Sequence, residues 1–111
     1  MNYKLFLDDI RFPSTGDWII ARSMNDAIWY IHNHGIPSFI SFDHDLMNTH
    51  YIGDTKEQTG YHFAKWFAEY IIDGKGVLPD GFGYYVHSMN PVGADNINKF
   101  MKNFLDHMGE Q

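Results

Sequence analysis

The sequence predicts an α/β fold built on a small, mostly parallel sheet. Two observations carry this. Short apolar runs alternate with longer segments whose apolar residues recur at helical spacing, in the order strand, strand, helix, strand, helix, strand, helix. Gly, Pro and helix-cap residues punctuate nearly every junction, so the elements are short and well separated. The 111 residues suit one domain over 1–111, and with 44% hydrophobic and 17% aromatic residues the chain can pack a core without staples.

Each element has its own signature. "KLFLDD" (Lys4 to Asp9) reads as a buried strand ending in acid, and "WIIARS" (Trp18 to Ser23) as a second strand. Between them, Pro13 and Gly16 leave room only for a loop. Ser23 with Asp26 three residues on resembles a capping box; Met24, Ala27, Ile28 and Ile31 follow at helical spacing, and Gly35 closes the helix. "SFISFD" is the third strand, and a long polar loop follows it. From Thr59 to Asp73, Phe63, Ala64, Phe67, Ala68 and Ile71 share one helix face. "YYVHS" (Tyr84 to Ser88) is the fourth strand. Asn90 caps the last helix, Pro91 takes its first position, and Ile97, Phe100, Met101, Phe104, Leu105 and Met108 form its core stripe.

The right-handed crossover rule narrows the topologies, and a flavodoxin-like order 2-1-3-4 fits in a three-layer arrangement. Ligands of such sheets bind beyond the carboxyl ends of the strands, at the switch point between strands 1 and 3. The strand ends carry the chemistry: Asp8 and Asp9 end strand 1, Asp43, His44 and Asp45 end strand 3, His87 and Ser88 end strand 4, and Arg22 ends strand 2. One acid at a strand end is ordinarily a turn or cap residue, and Asp9 has Arg11 within reach as an ion-pair partner. Co-location argues for more. Carboxylates held together repel, and a hard cation such as Mg²⁺, Mn²⁺ or Ca²⁺ removes that penalty. Ser88, Asn90 and the backbone near Gly93 sit where an anion can meet a helix N-terminus.

Several classes are excluded or disfavoured. Without Cys there are no disulfides or thiolate metal sites. A net charge of -6 disfavours long nucleic acid as a partner. No apolar run spans a membrane, and no signal-peptide core opens the chain, so a cytoplasmic protein is the expectation. His32, His34, His50, His62 and His107 are expected to be ordinary surface or helix residues.

"LFLDDIR", "SFDHDL" and "VHSMNPVGADNI" together resemble the cyclic-phosphate processing receiver-like domain, a divergent relative of two-component receivers. By that resemblance Asp8 and Asp9 match the receiver's acidic pair, Asp43 its acceptor and Ser88 its hydroxyl, while His44, Asp45, His87 and Asn90 match the divergent family. The first receiver helix and the fifth strand with its lysine have no counterpart, so phosphorelay signalling is not expected. The reading is a metal-assisted, phosphoesterase-like domain for a small cyclic-phosphate or nucleotide ligand. Asp8, Asp9, Asp43 and Asp45 would hold Mg²⁺ or Mn²⁺, with His44 and His87 as acid and base. Arg11, Arg22, Ser88, Asn90 and Gly93 would bind phosphate. The alternatives are a degenerate receiver that binds a nucleotide or a protein without turnover, and an interaction protein using a Trp66/Tyr70 face.

Overall fold

A computed structural model describes residues 3–14, 16–43 and 59–109. Its elements are β1 (Lys4–Leu7), β2 (Ile19–Ala21), α1 (Met24–His34), β3 (Phe39–Phe42), α2 (Gly60–Ile72), β4 (Gly83–Val86) and α3 (Pro91–Gly109). The four strands form one sheet in the order β2-β1-β3-β4, and every pairing is parallel. Element order and strand order are those expected from the sequence.

Local chemistry sets the helix ends. Ser23 Oγ accepts the Asp26 N–H at 3.1 Å, but the Asp26 carboxylate reaches back to the N–H of Arg22 rather than of Ser23. Gly35 closes α1 at φ 86°, a left-handed conformation that favours glycine. Thr59 and His62 form a complete capping box, in which the Thr59 N–H donates to His62 Nδ1 at 3.0 Å. His62, an exposed helix residue as expected, thus also helps to start α2. Asn90 Oδ1 accepts the Gly93 N–H at 3.0 Å at the start of α3.

Strand alternation sorts the sheet into two unlike faces. Leu5, Leu7, Ile40 and Phe42 point to one side and pack with Ala27 and Ile31 of α1, Phe63 and Phe67 of α2, and Ile97, Met101 and Phe104 of α3. Each of the Leu, Ile, Phe and Met side chains among them contributes roughly 1.5–3 kcal/mol by leaving water. Phe6, Phe39, Ser41 and Tyr85 point to the other side. There Phe6 meets Trp18 edge-on at 5.7 Å and stacks on the His87 ring at 4.5 Å, and Tyr85 is 62% exposed.

All three helices belong to the first side, so the described residues build two layers where three were expected. The reason is directional. The steps β2 to β3 and β3 to β4 cross the sheet the same way, and right-handed crossovers then place α1 and α2 on the same face. Only the step β1 to β2 runs the other way, and no helix is assigned to its described residues. The Trp66 and Tyr70 rings stack at 4.8 Å, half-buried against the core, with His32 beside them; they are helix packing rather than an exposed aromatic patch. No helix among the described residues is long and apolar enough to cross a membrane.

The two faces should respond differently to truncation. Leu7→Ala, on the covered face, is expected to destabilise by about 2–5 kcal/mol. Tyr85→Ala, on the open face, is expected to stay within about 0.5 kcal/mol of wild type. Urea unfolding measures both, and comparable losses would contradict the two-layer assignment.

Candidate functional site

The site is a row across the sheet. Phe6 pairs with Ser41 and Ser41 with Tyr85. Two residues further along each strand come Asp8, Asp43 and His87, on the same face by alternation. Ladder hydrogen bonds continue into this row: Asp8 N–H to Ala21 O at 3.1 Å, Asp43 N–H to Leu7 O at 2.9 Å, and His87 N–H to Phe42 O at 2.9 Å. The backbone thus sets the spacing of the three functional groups. One carboxylate oxygen each from Asp8 and Asp43 and one ring nitrogen of His87 all lie within 4.8 Å of one another. Asp8 is 1% exposed and Asp43 3%.

Asp8 is the best-supported member. Its Oδ1 accepts the N–H groups of Ile10 at 2.9 Å and Arg11 at 2.8 Å, so the chain turns sharply around it as it leaves β1. Its Oδ2 lies 3.0 Å from His87 Nε2 and 3.3 Å from Arg11 Nε. Burial alone would raise its pKa. The two backbone N–H groups, His87 and the Arg11 charge outweigh that and hold it below the ordinary carboxylate value. Asp43 has the opposite balance. Burial pushes its pKa up, the negative charges of Asp8 and Asp9 push the same way, and His87 and Arg11 only partly oppose them. Two carboxyls in one pocket are driven apart in this manner wherever one charge crowds another.

His87 is clamped. Nδ1 is 2.7 Å from Ser41 Oγ, Nε2 is on Asp8, and the ring lies nearly parallel to Phe6, at 6°. Ser41 and Phe6 are the members that sequence reasoning missed. A Ser inside the apolar run "SFISF", two residues before Asp43, was the available signal. Arg11 extends over the row with a terminal nitrogen 3.9 Å from Asp43 Oδ1. An open cavity of about 340 Å³ adjoins it, with Phe6, Ser41, His87, Trp18, Tyr85 and Arg11 in its lining.

The remaining sequence-predicted residues divide. Asp9 is buried at 7% exposure but is outside the cluster of possible metal ligands, although its charge acts on Asp43. Arg22 braces the loop after β1, donating to Arg11 O at 2.7 Å and Asp8 O at 3.1 Å while its guanidinium lies over the Phe12 ring. The anion cradle expected at α3 is occupied by the helix's own cap: the Gly93 N–H goes to Asn90 Oδ1, the Ala94 N–H to Asn90 O, and Ser88 Oγ accepts the Asn90 N–H. His44 and Asp45 lie outside the described residues, as does His50.

A parallel 2-1-3-4 sheet with an acidic row at its carboxyl edge defines a receiver-like α/β domain. The cyclic-phosphate processing receiver domain matches residues 3–103, and the chain belongs to that family. No curated protein and no solved structure matches it.

The opposed carboxyls give a pH-dependent prediction. Asp43 has its pKa raised by folding, so its charged form penalises the native state above that pKa, and the penalty is relieved as pH falls toward the unfolded value of 3.8. Asp43→Asn should therefore stabilise the cation-free protein at pH 7 by about 0.5–2 kcal/mol. The gain should disappear below about pH 4. Asp8 has its pKa lowered, so its contribution is present above 3.8 and lost as pH falls through the lower native value. Asp8→Asn should destabilise at pH 7. Thermal unfolding across this pH range checks both signs.

Proposed function

We propose that Asp8, Asp43 and His87 hold a divalent cation, Mg²⁺ or Mn²⁺, and that the domain hydrolyses a small cyclic phosphate bound beside it. The observation that carries this reading is the set of three donor atoms within 4.8 Å on one largely buried row, with the Arg11 guanidinium alongside. Two carboxylate oxygens and an imidazole suit these ions, and a cation would relieve the repulsion that raises Asp43. When bound, such an ion polarises a phosphoryl oxygen and lowers the pKa of a water molecule it carries.

The protein's own groups then have distinct tasks. Asp8, tied to two backbone N–H groups, is a fixed anion. Ser41 holds His87 Nδ1, and in the tautomer with Nδ1 protonated it leaves the Nε2 lone pair facing the carboxylates. With its Nε2 given to the cation, His87 is a ligand in this reading and not the acid or base expected from the sequence. Arg11 neutralises phosphate charge. Arg22 keeps Arg11 in place by bonding its carbonyl. His44 and Asp45 directly follow Asp43 in the chain, and we retain them as the acid–base group and a further ligand.

One observation favours a second reading. Both ring nitrogens of His87 already have partners, which suits a receiver that binds its ligand without turnover.

Cation binding and turnover are measured separately. Titration with Mn²⁺ should raise the melting temperature, by about 2.7 kcal/mol of stabilisation at a hundredfold excess over Kd. Asp43→Ala should abolish that response. Ser41→Ala should weaken cation affinity roughly 10- to 100-fold by releasing His87. Hydrolysis of a 2′,3′-cyclic nucleotide should require the cation and stop with chelator. Cleavage that continues in chelator would reject the metal role, and cation binding without cleavage would select the second reading.

A further inference from the structure

The face of the sheet on which no helix of the described residues lies carries a pocket joined to the acidic row. Phe6, Ser41 and His87 lie along the sheet surface, and Trp18, Tyr85, Phe12 and Arg11 stand around them, enclosing about 340 Å³. That falls within the size range of small-molecule sites, which begins at roughly 300 Å³. Two of its rings are held in water: Tyr85 is 62% exposed and Phe12 72%. Arg11 and His87 belong both to this pocket and to the Asp8–Asp43 cluster.

From this geometry we infer that the pocket binds the base of a nucleotide whose phosphate sits at the acidic row. This deepens the proposed function and rests on it for the phosphate end only. The occupant must join a flat, largely apolar body to an anion. The rings supply stacking surface for the body, as aromatic side chains do for nucleobases of any sequence. Arg11 lies between the two parts and can meet either a base edge or a phosphate oxygen. An apolar helix or protein face would find a guanidinium and an imidazole in the wall, which such a partner would have to desolvate. A nucleotide meets both with polar groups. The connection between β1 and β2, to whose described residues no helix is assigned, then has a use: a helix there would fill the space that the base occupies.

Stopped-flow tryptophan fluorescence at pH 7 with Mg²⁺ present, read before turnover through Trp18 in the pocket wall, tests the inference with three probes. They are adenosine 2′,3′-cyclic phosphate, the methyl riboside 2′,3′-cyclic phosphate that lacks a base, and adenosine. Wild type should prefer the cyclic nucleotide over the base-free compound by roughly 5- to 100-fold, the worth of stacking one base. Tyr85→Ala and Phe12→Ala should lose that preference; both side chains are exposed, and circular dichroism confirms that the variants fold. Equal affinity of wild type for the two cyclic phosphates overturns the base pocket while leaving the phosphate site intact. Binding of adenosine alone, lost in Tyr85→Ala, supports the pocket even if neither cyclic phosphate binds, in which case the phosphate reading falls. If none of the three probes binds, both readings are overturned.

Discussion

The hydrogen bond from the Asp43 N–H to the Leu7 carbonyl, 2.9 Å long, extends the β1–β3 ladder one step past the strands and brings Asp43 level with Asp8. Two acids are thereby buried on neighbouring strands with an imidazole in the same row. Register fixes their separation, so side-chain rotation gives only limited relief. The surrounding structure answers this charge. The loop after β1 folds two N–H groups onto Asp8, Arg11 reaches from that loop toward both carboxylates, and Arg22 bonds the loop from β2. Even so the balance is uneven, with Asp8 held anionic and Asp43 pushed toward its neutral form. Carboxyls kept partly at odds with their fold cluster at functional sites, and on the proposed reading a bound cation resolves the conflict.

The same sheet has a second asymmetry. Its helices share one side because successive crossovers run in one direction, and the opposite side keeps an aromatic surface beside the acids. His87 links the two features. One edge of its ring faces Asp8, the other Ser41, and its plane lies on Phe6. Arg11, which lines the open face and reaches both carboxylates, is the second group that the two features share.

Much of this was legible in the residues. Helical periodicity marked Phe63, Phe67, Ile97, Met101 and Phe104 as core, and all five are buried. The strand order followed from alternation and handedness, and the convergence of Asp8, Asp43 and His87 followed from where their strands end. What escaped notice depends on parity. "LFL" is apolar on both faces, so it does not say which of the two adjacent acids that follow it turns toward the neighbouring strand. That choice, Asp8 rather than Asp9, needs the register. So does the role of Ser41, whose hydroxyl matters only because β4 places His87 beside it. The closed cap at α3 was hidden for another reason: Asn90 satisfies the same N–H group that an anion would use, and sequence alone cannot rank the two.

The central claim is that the sheet holds Asp43 against Asp8 in a state that a cation relieves. Carbon-13 NMR of the side-chain carboxyls, titrated with pH in the presence and absence of Mg²⁺, tests it directly. The account predicts that Asp43 titrates above the ordinary carboxylate range without the ion and drops below it when the ion is added, while Asp8 titrates low throughout. An Asp43 carboxyl that titrates normally and ignores Mg²⁺ would contradict it.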